Sequence, residues 1–86
     1  MDYIVLTTAS AEKDIRRLSD PIRSRVNNKI ISLENNPRPR GSKKLTGRDE
    51  YRIRVGDYRI LYVIDDNNRV VTIRAVGHRH EIYNFN

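Results

Sequence analysis

Cysteine is absent from the 86 residues. That excludes a disulfide framework, a thiolate nucleophile and any zinc or iron–sulfur site built on thiolates. Long apolar runs are missing too, none approaching the roughly 20 residues that span a bilayer. The start, Met1-Asp2-Tyr3, lacks the basic residues and apolar stretch of a secretory signal. No internal repeat or low-complexity tract interrupts the chain. Acidic residues are scarce: 11 Asp and Glu face 17 Lys and Arg, for a formal charge of +6 and a pI near 10.1. Such a surplus on a small body favours an acidic partner: nucleic acid, an acidic protein or an anionic surface. With 37% apolar and 33% charged residues, the chain can bury one modest core. The expectation is a single basic domain over residues 1–86, cytoplasmic, with no membrane partner.

Tyr3 to Thr8 is a short β-rich run suited to a buried strand. The period then changes: Ala11, Ile15 and Leu18 fall at helical spacing, with Glu12, Lys13, Asp14, Arg16 and Arg17 on the other side. Asp20-Pro21 reads as a second helix start, with Asp as cap and Pro at the first helical position. Ile22, Val26, Ile30 and Leu33 form its apolar stripe, and Asn35-Asn36-Pro37 stops it. The two helices, about two residues apart, form an antiparallel hairpin, and helix charges such as Arg16, Arg17, Arg23 and Arg25 read as solvated. Residues 37–50 form a long basic loop with one apolar anchor, Leu45. Loops of this length in compact domains are uncommon unless they bind something or move. Three strands follow, over 51–55, 58–65 and 69–78. The order β-α-α-β-β-β indicates an α+β fold in which a helical hairpin covers one face of a mostly antiparallel sheet.

The turn Gly56-Asp57 suits a two-residue type II′ hairpin, with glycine first. It sets Val55 opposite Tyr58, Arg54 opposite Arg59 and Ile53 opposite Ile60. Alternation then assigns Tyr51, Ile53, Val55, Tyr58, Ile60, Tyr62 and Ile64 to the core face, and Arg52, Arg54, Arg59, Leu61 and Val63 to the other. A two- or four-residue loop at Asp65-Asp-Asn-Asn68 preserves parity. It would place Val71, Ile73 and Ala75 in the core, and Thr72, Arg74, Val76 and His78 beside the arginines. Like charges directly opposite each other destabilise a strand pair, and arginine cannot shed its proton. A solvated outer face is one explanation. A phosphate-binding surface explains more, because guanidinium forks match phosphate oxygens bidentately.

Leu45-Thr-Gly47, Tyr51-Arg-Ile-Arg-Val-Gly-Asp-Tyr-Arg-Ile-Leu-Tyr62 and Val76-Gly-His-Arg-His-Glu-Ile-Tyr83 together resemble the RelE/ParE toxin superfamily of type II toxin–antitoxin systems. The resemblance spans the chain. Its terminal stretch looks like the RelE branch, whose members cleave ribosome-bound messenger RNA without a metal or cofactor, through the RNA's own 2′-hydroxyl. Position by position, it implies catalytic roles for Arg52, Arg54, Arg59, Arg79 and Tyr83. Attack by the 2′-oxygen builds charge on a pentacoordinate phosphorus that guanidinium groups stabilise, while a base and an acid move two protons. Tyr83 takes a base or base-stacking role in the family; alternatively the tail is a clasp, with Phe85 against the helices. His80 stands where Lys or Arg is common; an imidazole can serve there as an acid or base near neutral pH, and the alternative is an exposed tail imidazole. His78 reads as hydrogen-bonded structure, and Glu81 as an ion-pair partner of an arginine. Lys43, Lys44, Arg48 and Arg74 are the expected nucleic-acid contacts.

The resemblance further implies a cognate RelB-like antitoxin with an acidic or amphipathic segment, besides the ribosome and mRNA. Two other functions fit a basic domain of this kind: a ParE-like inhibitor of DNA gyrase, and a non-catalytic RNA-binding module.

Overall fold

The computed structural model describes residues 2–47 and 49–82. Strand β1 (Ile4–Thr7) leads into Thr8, which keeps an extended backbone while its hydroxyl accepts the Ala11 N–H at 3.1 Å. That side-chain cap starts α1 (Ala9–Arg16). Glu12 lies in its first turn, and Lys13 and Arg16 in its last, each on the side that the helix dipole favours. Helix α2 runs over Ile22–Ser32, so residues 17–21 form a longer link than expected. Asp20 does not cap its backbone. Its carboxylate accepts from the Ser24 hydroxyl at 3.0 Å and lies 3.6 Å from the Arg23 guanidinium.

The sheet is completed by β2 (Lys43–Lys44), β3 (Tyr51–Val55), β4 (Tyr58–Asp65) and β5 (Val70–His78). Its order is β1-β5-β4-β3-β2, with β1 parallel to β5 and the other pairs antiparallel. The β3–β4 register is the expected one: Val55 faces Tyr58, Arg54 faces Arg59, and Ile53 faces Ile60. Gly56 has φ +58° and Asp57 a negative φ, as a type II′ turn requires. The β4–β5 loop has four residues, 66–69, and Arg69 takes the left-handed conformation at φ +55°.

Three expectations are corrected. The basic loop contains the two-residue strand β2, paired with Arg52 and Tyr51. Strand β1 is an edge strand, leaving Ile4 and Leu6 exposed. The parity of β5 also changes midway. Leu61 pairs with Ala75 but Tyr62 with Ile73, so Arg74 is an extra residue in a β-bulge. The extra residue flips every position after it. Val76 is therefore buried in the core opposite Ile60, and His78 pairs with Tyr58 on the helix side, while Ala75 and Gly77 join the arginine face. The Asp14 carboxylate accepts the Val76 N–H just past the bulge at 3.0 Å, tying α1 to the altered strand.

The core lies between helices and sheet: Ala11, Val26, Ile30 and Leu33 pack with Ile53, Val55, Ile60, Tyr62, Val71, Ile73 and Val76. Burying apolar surface of this kind is the main favourable term in folding. Tyr62 is fully buried, its hydroxyl donates to the Pro37 carbonyl at 2.8 Å, and burial pushes its pKa up to about 12. The start of the basic loop is pinned by Arg38. Its guanidinium grips Asp66 with two bonds of 3.1 and 2.9 Å and donates to the Tyr51 hydroxyl at 3.0 Å.

Candidate nucleic-acid interface

On the open sheet face, cross-strand rows place the cationic side chains. One row is Arg54, Arg59 and Gly77; the next is Lys43, Arg52, Leu61 and Ala75. Arg59 is held in place, its Nη1 donating to the carbonyls of Gly56 at 3.1 Å and Tyr58 at 3.0 Å. Those carbonyls fix its direction without cancelling its charge. Arg52 is buried at 8% exposure and Arg54 is exposed, and neither has a carboxylate partner among the described residues.

The chain after β5 returns to the same turn. The Arg79 N–H donates to the Asp57 carbonyl at 2.8 Å, and its guanidinium lies 3.8 Å from the Asp57 carboxylate. Both side chains are more than half exposed, so this pair contributes little energy. Ile82 is fully buried against Gly77. A Cβ at Gly77 would come within 3.2 Å of the Ile82 Cδ1, so the missing side chain lets the tail lie this close. Arg54, Arg59 and Arg79 thus gather around one hairpin turn. Tyr83, Phe85 and Arg48 lie outside the described residues.

The remaining expected residues divide. Lys43 shares the Arg52 row, whereas Lys44 pairs with Tyr51 on the opposite parity and borders a separate hollow with Leu45, Thr46 and Asp49. Arg74 sits at the bulge and donates to the buried Glu50 carboxylate, which neutralises it. His80 donates its backbone N–H to the His78 Nδ1 at 3.2 Å, and the two rings stack with centroids 4.9 Å apart. His78 also meets the Tyr58 ring edge-on at 5.5 Å. His78 is therefore hydrogen-bonded structure on the helix side, as its chemistry suggested, and not a member of the arginine face. Glu81, expected to pair with an arginine, forms no ion pair among the described residues.

Sequence reasoning missed part of the basic surface. Arg25, Asn28, Lys29 and Ser32 of α2 face Arg54, Val55 and Gly56 across a groove of about 420 Å³. A second hollow of about 410 Å³ adjoins it, lined by Lys29, Arg40, Gly41, Ser42, Lys43, Arg52, Ile53 and Arg54. Arg25 is therefore not simply solvated. The signal was present, since Arg25 and Lys29 are one helical turn apart and flank the apolar stripe. Nothing in the helical period says which sheet edge lies beside them.

A family model described as the ParE toxin of type II toxin–antitoxin systems matches residues 5–83. The chain belongs to the RelE/ParE toxin superfamily. Among its RelE/ParE relatives, a toxin RelE of Mycobacterium tuberculosis is 36% identical, the match covering 98% of this chain and 89% of the relative. A putative toxin RelE1 of Methanocaldococcus jannaschii is 33% identical, with 83% of each chain covered. Among solved structures, the RelBE2 toxin–antitoxin complex of M. tuberculosis superposes with a TM-score of 0.82 at 33% identity, over 92% of this chain and all of that one. A mutant of E. coli RelE in the free state gives 0.81 at 26% identity, over 96% and 90%. The α+β architecture, with helices packed on one face of a five-stranded sheet, is thus that of the RelE toxins. No helix among the described residues is long and apolar enough to cross a membrane.

Proposed function

We propose that this chain, residues 1–86 acting as one cytoplasmic toxin domain, cleaves messenger RNA on the ribosome and so stops translation. The observation that carries the reading is the Arg54–Arg59 pair, directly opposed on adjacent strands, with Arg79 returned to the same turn. Opposed guanidinium groups repel in the free protein. They gain a shared partner when a dianionic phosphorus centre forms between them. In the proposed reaction the RNA 2′-oxygen attacks the adjacent phosphorus and the bond to the 5′-oxygen breaks, leaving a cyclic phosphate and a 5′-hydroxyl. Arg54, Arg59 and Arg79, with Arg52 beside them, stabilise the charge that develops. Tyr83 takes the 2′-proton as the general base. His80 is the alternative proton carrier, and it protonates the leaving oxygen when Tyr83 acts as base. Lys43 contributes an RNA contact, as do Lys44, Arg48 and Arg74 where the message extends past the turn.

A RelB-like antitoxin is the proposed partner. Solved RelE structures from M. tuberculosis, E. coli and Pyrococcus horikoshii are complexes with RelB, and the uncompensated arginines suit an acidic or amphipathic segment. Because the matching family model carries the ParE name, gyrase inhibition is the second reading. Primer extension on translated messages after induction separates the two. Discrete cuts within the reading frame support the first; intact messages with induction of the DNA-damage response overturn it. Tyr83→Phe should lower cleavage about 100-fold or more, the scale of a lost general base. Unchanged cleavage in that variant would remove the phenolic base and leave His80.

A further inference from the structure

We propose that the groove between α2 and the free edge of β3 is a track for one strand of RNA, in which Arg25 and Lys29 hold the phosphates next to the cleaved bond. This inference rests on the RNA-cleaving reading and extends it to residues outside the reaction centre.

The groove exists because β2 is too short. It pairs with Tyr51 and Arg52 only, so the edge of β3 over Ile53, Arg54 and Val55 has no strand beside it among the described residues. Helix α2 runs along that edge. Arg25 and Lys29 are four residues apart on the helix, a rise of about 6 Å. Arg52 and Arg54 are two residues apart on the strand, about 6.6 Å. Two cationic rails of nearly equal period therefore face each other and run in opposite chain directions. Lys29 and Arg54 border both hollows, which makes them one continuous channel. At one end stand Arg40 and Lys43. At the other, the Arg25 guanidinium nitrogens come within 3.8 Å of where a Gly56 side chain would begin, at the turn whose carbonyl holds Arg59. The channel thus leads to the proposed reaction centre.

Its charge is unopposed. No Asp or Glu lines either hollow, and Arg25, Lys29, Arg40 and Lys43 make no ion pair among the described residues. The other lining groups, Asn28, Ser32 and Ser42, are amide and hydroxyl side chains of the kind that contact phosphate and sugar. A polypeptide would need apolar anchors at the centre of its contact. Here the only large apolar linings, Ile53 and Val55, are already buried, whereas the exposed apolar side chains Ile4, Leu6 and Ile31 line neither hollow. Regular cations, polar walls and no free apolar anchor fit a phosphodiester backbone.

The test is a salt series of fluorescence anisotropy titrations with a short single-stranded oligoribonucleotide, methylated at every 2′-oxygen so that it cannot be cut. Each phosphate neutralised on a single strand contributes about −0.7 to the slope of log affinity against log salt. The pair Arg25→Ala and Lys29→Ala should therefore make the slope shallower by about 1.4. In cleavage assays it should act mainly by raising KM. The control pair Arg16→Ala and Arg23→Ala removes the same charge outside the groove and should leave the slope unchanged. Equal slopes for wild type and the Arg25/Lys29 variant overturn the proposal, as does an equal change in the control. Poly-glutamate should bind weakly and indifferently to the two substitutions. If it depends on them while the oligonucleotide does not, the groove is a polypeptide site and the proposal falls. If wild-type protein binds no oligonucleotide at any salt, the groove proposal falls, while the RNA-cleaving reading stands or falls on the primer-extension cuts.

Discussion

The two faces of the central sheet solve opposite problems. The covered face is apolar and closed: Ile53, Ile60, Tyr62, Val71, Ile73 and Val76 lie under the two helices. The open face carries arginine at successive outward positions of the β3–β4 hairpin, partly unneutralised. A second contrast runs among the arginines themselves. Away from the Gly56 turn, cations meet carboxylates: Arg74 meets Glu50, and Arg38 meets Asp66. Near the turn, Arg59 is tethered by neutral carbonyls, Arg54 and Arg52 have no carboxylate among the described residues, and Arg79 meets Asp57 only through an exposed pair at 3.8 Å. Pairing an arginine to a carboxylate makes a structural strut. Tethering it to a carbonyl keeps both its direction and its charge, which is what stabilising a developing phosphorane requires.

Arg59→Ala should give the largest separation between the faces. Loss of one fixed donor to a developing oxyanion typically costs about 100- to 1,000-fold in turnover. Cleavage of ribosome-bound message should fall by that order, while the urea midpoint stays near wild type. A loss of folding would instead make Arg59 a strut like Arg74. Ile73→Val on the covered face should do the reverse at smaller scale. Ile73 is fully buried, so removing one methylene should cost about 0.5–1.5 kcal/mol in stability. Urea denaturation measures that cost, and turnover of the folded protein should not change.

Much of this division was legible in the residues. The Gly56-Asp57 turn sets the hairpin register, and strict alternation then sorts arginine from isoleucine. The apolar stripes of both helices are equally plain. The bulge at Arg74 was not legible. It depends on Asp14, far away in the chain, accepting the Val76 N–H, and on Glu50 holding Arg74. Local alternation contains neither contact, so by itself it puts Val76 and His78 on the wrong face and Ala75 in the core. Strand β2 escaped for a similar reason: two lysines carry no period, and only the register with Tyr51 and Arg52 defines them. The α2 half of the basic groove was hidden because a helical charge pair looks solvated until its tertiary neighbour is known.

The Arg38–Asp66 strut should also titrate where the tethered arginines cannot. The Asp66 carboxyl receives two bonds from Arg38 and one from the Tyr3 hydroxyl at 2.6 Å, and these hold its pKa down at about 2. In the unfolded chain an aspartate titrates near 3.9. Because the folded value is lower, the contribution of this network is complete above about pH 4 and is lost as pH falls toward 2. Asp66 is solvent-accessible, so the effect is small and weakened by salt. Asp66→Asn should flatten that part of the acid-stability profile without altering cleavage at neutral pH, as followed by thermal melts between those limits. If Asp66→Asn instead reduced cleavage at neutral pH, Arg38 and the start of the basic loop would belong to the working surface, and the boundary between strut and site would move.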